Sequence, residues 1–415
     1  MSEWKEIILG DYIQLITDYH SNGSYEKLKE NIILKSYSDY AIMIRTLNFE
    51  RNDFENDVIY INEKEYNYLK KSKVLPGDIL MNKIANAGSV YFMPNLGKPV
   101  SLAMNLFLIR LNDLIDQRFM FYLMKHKEGY IKLYANGAAT STITKEAVRN
   151  LRFIIPPLYI QSRITSILSA YDDLIENNLK RIKLLEELAQ RTYEEWFVKF
   201  RVNGDQLEVN EVTGLPEGWE KKKLNEVILL IRKSVLPKNI LPDTPYIGLE
   251  HIPKKSITLS EWETAEKVDS LKYSFKKGDI LFGKIRPYFH KVGVALVDGI
   301  ASSDTIILRA INKKLQGLIL QTVFSDLFVN TATQSSNGTK MPRANWEVLK
   351  EYPVIIPTQE VLSAYDILSN SIIETIENLC LQNHFLKESQ DILLPRLMCG
   401  KIEVNVTEEE IAIEA

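Results

Sequence analysis

One phrase of this sequence occurs twice at a fixed distance. GDILMNKI, beginning at Gly77, returns as GDILFGKI, beginning at Gly278, an offset of 201 residues. The same offset carries Asn136-Gly137 to Asn337-Gly338, Ile154-Ile155-Pro156 to Ile355-Ile356-Pro357, and Glu176-Asn177 to Glu377-Asn378. Four matches at one spacing mean a duplicated unit, and a period this long means two domains rather than a solenoid. A chain of 415 residues is long enough to give each copy its own core.

Each copy begins with a strand-rich block. In 1–155 and again in 216–357, runs of four to seven residues rich in Ile, Val, Leu and Tyr are bounded by Gly, Asn and Pro, the pattern of strands between turns. Within the repeated phrase, Gly-Asp turns the chain into a buried strand and Ile-Leu fills its core face, so the phrase reads as structural. DQRFMFYLMKHKEGYIKL and KLQGLILQTVFSDLF predict one helix in each block. Both blocks are therefore expected to be α+β heads.

The segments after the blocks are of another kind. Over 159–199 there is no Gly or Pro, and seam positions fall at Ile164, Ile167, Tyr171, Leu174, Asn178, Ile182, Leu185, Ala189, Thr192 and Trp196. A second seam runs through Leu362, Tyr365, Ser369, Ile372, Ile376, Leu379, Asn383, Leu386, Gln390 and Leu393. Steps alternating between three and four residues are those of a coiled coil, and a polar seam residue fixes its register. Asn203-Gly204 and Pro395 are expected to stop the two helices. Because the second block starts soon after the first helix and feeds directly into the second, the helices should run antiparallel. About 36 residues at 1.5 Å each make a spacer of roughly 54 Å. The predicted division is 1–155, first head; 156–215, first long helix and linker; 216–357, second head; 358–415, second long helix and acidic tail.

Charge follows the same division. The first head carries a net +2 and the second +6, while 156–215 carries −3 and 358–415 carries −8. Two basic heads on acidic helices suit a polyanion-binding protein. The opening MSEWKEIILGDY has neither the basic nor the apolar region of a secretory signal, and no apolar run approaches the ~20 residues that span a bilayer. Cys380 and Cys399 lack metal-ligand spacing and His20, His126, His251, His290 and His384 are scattered, so neither a metal nor a histidine-based catalytic centre is expected. A cytoplasmic location without membrane attachment follows.

Double-stranded DNA with a split target is the ligand that two spaced basic heads fit. The candidate contacts are polar or basic residues on two turns of each head. In the first head these are Asn82, Lys83 and Asn86, then Asn136, Thr140, Ser141 and Thr142. In the second they are Lys284, Arg286, Tyr288, His290 and Lys291, then Asn337, Gly338, Thr339, Lys340 and Arg343. Arg suits guanine, Asn suits adenine, and Lys and hydroxyls hold phosphates. The alternative is a stand-alone DNA methyltransferase, an enzyme that holds its target amino group with (Asp/Asn)-Pro-Pro-(Tyr/Phe). Its nearest string here, IIPPLY, puts Ile155 at the polar position, and no P-loop is present either.

Several stretches resemble the specificity (S) subunit of Type I restriction-modification systems: ANGAATSTITKEAVRNLRFIIPPLYIQSRI before the first helix, EEWFVKFR at its end, LPEGWEKKKL opening the second head, and LLPRLMCGKI near the end. The likeness covers essentially the whole chain. Ile160 stands where Glu is common in that family, and the second copy, Pro357-Thr358-Gln359-Glu360, departs further. The resemblance implies a non-catalytic DNA-recognition subunit in which each head binds half of a split asymmetric target. It also implies helices that dock two modification (methyltransferase) subunits and restriction (translocase/nuclease) subunits. S-adenosylmethionine and ATP would then sit on those partners, and this chain would carry no cofactor.

Overall fold

A computed structural model describes residues 4–137, 140–338 and 340–404, and the chain is mixed α+β. It divides into two compact units, one formed by Met1–Asp173 with Leu386–Ala415 and the other by Leu174–Phe385. The long helices Leu158–Tyr193 and Gln359–Met398 each contribute residues to both units.

In the first unit a four-stranded antiparallel sheet has the order Ile13–Asp18, Leu106–Leu111, Ile79–Asn82, Val90–Phe92. A second four-stranded sheet, mixed because Ala41–Ile44 and Val100–Leu102 run parallel, completes the head. The strand that carries the repeated phrase faces two cores. Ile79 and Met81 pack with the helix Gln117–His126, while Leu80 packs with Ile42, Ile44 and Leu102 of the second sheet. Side chains of a strand alternate between faces, so burial of both faces requires an unbroken apolar run. Antiparallel pairing of Lys5–Ile8 with Arg152–Ile155 closes the head just before the long helix begins.

The second unit repeats this plan. Its central sheet has the order Ile228–Ile231, Thr305–Ala310, Ile280–Gly283, Val292–Ala295, Thr258–Leu259. Ile280 and Phe282 enter one core and Leu281 the other. Glu220–Lys223 pairs with Pro353–Ile356 as the closing ladder. A half-buried carboxylate also fastens this sheet to the first long helix: Glu186 accepts hydrogen bonds from the Ser256 and Thr258 hydroxyls at 2.7 and 2.6 Å, and desolvation raises its pKa.

The repeated Gly-Asp has the same role in both heads. Gly77 and Gly278 adopt φ of 88° and 89°, in the region that favours glycine. Asp78 accepts the Leu75 N–H and two hydrogen bonds from Arg110, all at 2.7 Å. Asp279 likewise accepts the Lys276 N–H at 2.7 Å and two hydrogen bonds from Arg309, at 2.6 and 2.8 Å. The amide of Gln117 donates to the Gly77 carbonyl and that of Gln316 to Gly278. Thus the phrase is a buried ion-paired corner.

Three expectations about the helices require correction. The single helix predicted in each head is two: Gln117–His126 and Glu128–Lys132 in the first, Gln316–Phe324 and Asp326–Gln334 in the second. At the second break Ser325 is extended and its hydroxyl accepts the Phe328 N–H, starting a new helix. Pro395 does not stop the last helix, which continues to Met398. So near the C-terminus proline removes one hydrogen bond and the helix survives it. Leu174, assigned to the seam, is instead 51% exposed, and Leu168 is buried nearby.

Candidate nucleic-acid interface

Both heads bring together the two turns proposed as contact loops, and both do so by backbone pairing. In the first, Ile84 and Asn136 each bridge to Thr142, and the Ala85 N–H donates to the Ser141 carbonyl at 2.9 Å. In the second, Ile285 and Asn337 each bridge to Arg343, and the Arg286 N–H donates to the Pro342 carbonyl at 2.7 Å. The equivalence is residue for residue at the 201-residue offset. Gly137 and Gly338 hold φ of 123° and 99° within these loops. A Cβ on Gly137 would lie 2.3 Å from the Thr140 carbonyl oxygen, so only glycine allows the loop to close.

Side chains on these loops meet different fates. Asn86, Asn136, Thr140 and Thr142 are exposed and Ser141 is half-buried. Arg286, Tyr288, Asn337, Gly338, Lys340 and Arg343 are exposed and Lys284 is half-buried. Arg286 sits at φ 50°, with its guanidinium 5.9 Å from the Phe289 ring centre. Asn82 is buried and accepts a hydrogen bond from the Thr46 hydroxyl, which takes it off the surface. His290, expected on the loop surface, is also buried, with Nε2 2.6 Å from the Phe324 carbonyl oxygen. Lys291 donates to the Leu249 carbonyl. Thr339 lies outside the described residues.

The heads differ in how their cations are balanced. In the first, Asp18 accepts from Lys83 at 2.7 Å, Lys145 at 3.0 Å and the Ser21 hydroxyl at 2.7 Å. Burial works against ionisation of Asp18, but these hydrogen bonds outweigh it and hold the carboxyl well below the usual range. Lys83 is thereby spent on an internal ion pair. In the second head Arg232, Lys284 and Arg343 line one cleft of about 430 Å³ with Asn337 and Trp346. Arg343 lies 3.4 Å from Asp304, while neither Arg232 nor Lys284 makes a side-chain hydrogen bond or ion pair among the described residues. Arg232 and Trp346 were not among the sequence candidates. Arg232 follows the strand Ile228–Ile231, far from the shared phrases, and only the sheet register brings it to the site.

Within the second unit the long helices run antiparallel. Asn178 donates to Asn383 at 2.9 Å, both buried, and Ile182, Ala189, Ile372, Ile376 and Leu379 form an apolar cluster with Leu185 at its edge. Within the first unit, Ile164 and Leu168 pack with Leu397 and Met398 of the head's core, and Gln390 donates to Asp172 at 2.7 Å. Tyr171 and Leu386 are half-buried. Leu184, Leu188, Ile367 and Phe385 are exposed apolar residues on the same helices. Among the described residues no cluster of His, Cys, Asp and Glu could hold a metal ion, and no helix is long and apolar enough to cross a membrane.

A family model described as the Type I restriction modification DNA specificity domain matches residues 1–187 and 216–381, one match on each copy of the repeat. The Type I restriction enzyme MjaIX specificity subunit of Methanocaldococcus jannaschii is 24% identical over 378 residues, covering 84% of each chain. The MjaVIII specificity subunit of the same organism is 23% identical over 419 residues, covering 97% of this chain and 93% of its own. Among solved structures, the crystal structure of the Type I restriction-modification system S subunit from M. genitalium covers 97% of both chains with a TM-score of 0.56 at 14% identity, a likeness of fold.

Proposed function

The chain belongs to the Type I restriction-modification DNA specificity family, and from that premise we propose that it is the subunit that recognises the DNA sequence for such a complex. Each head reads one half of a split asymmetric target, using the paired loops at 82–86 with 136–142 and at 284–290 with 337–343. One observation carries the reading: the same two loops are joined by the same backbone bridges in both heads, yet present different side chains. A repeated frame with divergent tips is what two unlike half-sites require, because sequence is read by side chains at base edges, so the tips must differ while the frame that presents them need not. The chain recognises and does not catalyse. Modification subunits dock on the exposed apolar positions of the long helices, restriction subunits join the complex, and S-adenosylmethionine and ATP are bound by those partners in the cytoplasm.

The test is to assemble the full-length chain with its modification subunits, supply S-adenosylmethionine and a randomised duplex library, and sequence the methylated fragments. A two-part motif with a fixed unread spacer is expected. Methylation at a continuous short motif, or methyl transfer by this chain alone, would overturn the reading.

A further inference from the structure

The two heads share a frame but treat charge in opposite ways at one equivalent spot, and register identifies it. Arg110 and Arg309 are equivalent, since each pairs with the Asp of the repeated phrase. Arg110 lies across from Leu15 and Arg309 across from Leu229, so Asp18, three residues on from Leu15, corresponds to Arg232, three on from Leu229. Lys83 corresponds to Lys284 and Thr142 to Arg343, because each equivalent pair makes the same backbone bonds. In the first head, then, a carboxylate closes on Lys83. In the second, a guanidinium stands in its place and the cleft around Lys284 stays cationic.

The cleft floor carries a second, independent sign of a ligand. Leu106 in the first head corresponds to Thr305 in the second: Asn82 pairs with Leu106 and Gly283 with Thr305. Thr305 is 3% exposed, lines the cleft, and its hydroxyl has no hydrogen-bond partner among the described residues. A buried hydroxyl without a partner is costly, and a buried polar side chain where the sister head has leucine calls for something to bond to. The surrounding cations specify an anion, only partly offset by Asp304 beside Arg343.

We infer that the second head holds a DNA backbone phosphate in the cleft formed by Arg232, Lys284, Arg343 and Thr305, and that the first head has no counterpart because Asp18 occupies it. This rests on the proposed recognition of DNA and adds a division of labour: the second head grips the backbone, while the first relies on uncharged loop side chains for its half. Arg and Lys supply the charge, and the Thr305 hydroxyl donates to a phosphate oxygen.

Salt dependence measures this directly, since each phosphate neutralised by a cation contributes about 0.9 to the slope of log affinity against log salt. DNA binding by the full-length chain with its modification subunits is followed from 50 to 200 mM KCl. Arg232→Ala and Lys284→Ala each take away part of the charge on that one phosphate and should each lower the slope by up to about 0.9, so that affinity falls up to roughly 3.5-fold less across that range than for the unaltered protein. Arg232→Lys should keep the slope. Arg232→Asp, which places the first head's carboxylate beside Lys284, should lose that phosphate altogether, about 0.9 in slope. Asp18→Asn should add about one unit by freeing Lys83, whereas Lys145→Ala, which leaves the Asp18–Lys83 pair in place, should not change it. Thermal melts confirm that each variant is folded, and the Arg232 series decides the matter if Asp18→Asn is not. An unchanged slope in folded Arg232→Ala and Lys284→Ala overturns the inference. So does displacement of DNA by inorganic phosphate at constant ionic strength, which would make the cleft a site for the free ion. Failure of the unaltered complex to select a two-part target would instead sink the recognition reading, so the two failures are distinguishable.

Discussion

Asp18 ties three elements of the first head together through Lys83, Lys145 and Ser21, and its ionisation makes that tie depend on pH. Its folded-state pKa lies below the unfolded value of about 3.9. The stabilisation is therefore complete above that value and lost as pH falls through it toward the folded pKa. Melting of the first head should fall steeply below about pH 4, and Asp18→Asn should blunt that fall while costing about 3 kcal/mol at neutral pH by leaving Lys83 unpaired. Calorimetry across pH 3 to 7 measures both. On the second head, Arg286→Ala and Lys340→Ala should weaken binding by the assembled complex; loss of a base contact costs about 1–3 kcal/mol and relaxes one position of the target. Affinity selection with each variant distinguishes that from uniform weakening. At this scale the sequence was only partly legible. Exposed loop residues such as Arg286 could be named from turn chemistry, but His290 and Asn82 have the same composition cues and lie buried. Nothing local in the sequence announces that Asp18 lies 65 positions from the lysine it neutralises.

Elements were read best where a period repeats many times. The seam of the long helices was legible because apolar residues at threes and fours persist over ten turns, and the Asn178–Asn383 layer falls within it. The short helices were not, since their breaks depend on single caps such as Ser325, and one cap does not alter a hydrophobic pattern. Close packing was invisible for the same reason. Gly317 begins the helix Gln316–Phe324 against the last long helix, and a Cβ there would fall 1.9 Å from the Ser369 hydroxyl oxygen and 2.6 Å from its Cβ. Gly317→Ala should destabilise the second unit by about 1–3 kcal/mol. Adding Ser369→Gly should recover part of the loss, less the ~1 kcal/mol that glycine costs inside a helix. Denaturant midpoints for the single and double variants provide the check.

For the whole molecule, the duplication made the plan readable from four short phrases. The structure shows why three of them persist together: they are the corner, the loop bridge and the closing strand of each head, whereas Glu176-Asn177 and Glu377-Asn378 lie midway along the long helices. Net charge was a blunter guide. The net charges of +2 and +6 marked both heads as basic, and only the internal pairing of Lys83 shows how differently they carry that charge. If each head reads independently, replacing residues 1–155 with another head of this family should change one half of the methylated motif and preserve the other. Sequencing of the modified fragments reports the outcome, and a change in both halves would contradict independence.

The bridges between the contact loops are main-chain pairs, with Thr142 in one head and Arg343 in the other forming the same pair of contacts, and the Thr142 hydroxyl adds a bond to the Asn136 carbonyl. Apart from the glycines at 137 and 338, folding of these tips therefore places few demands on the side chains they display. A lineage carrying this chain can explore new target preferences by point substitution without passing through unfolded intermediates. Recognition drifts while architecture stays.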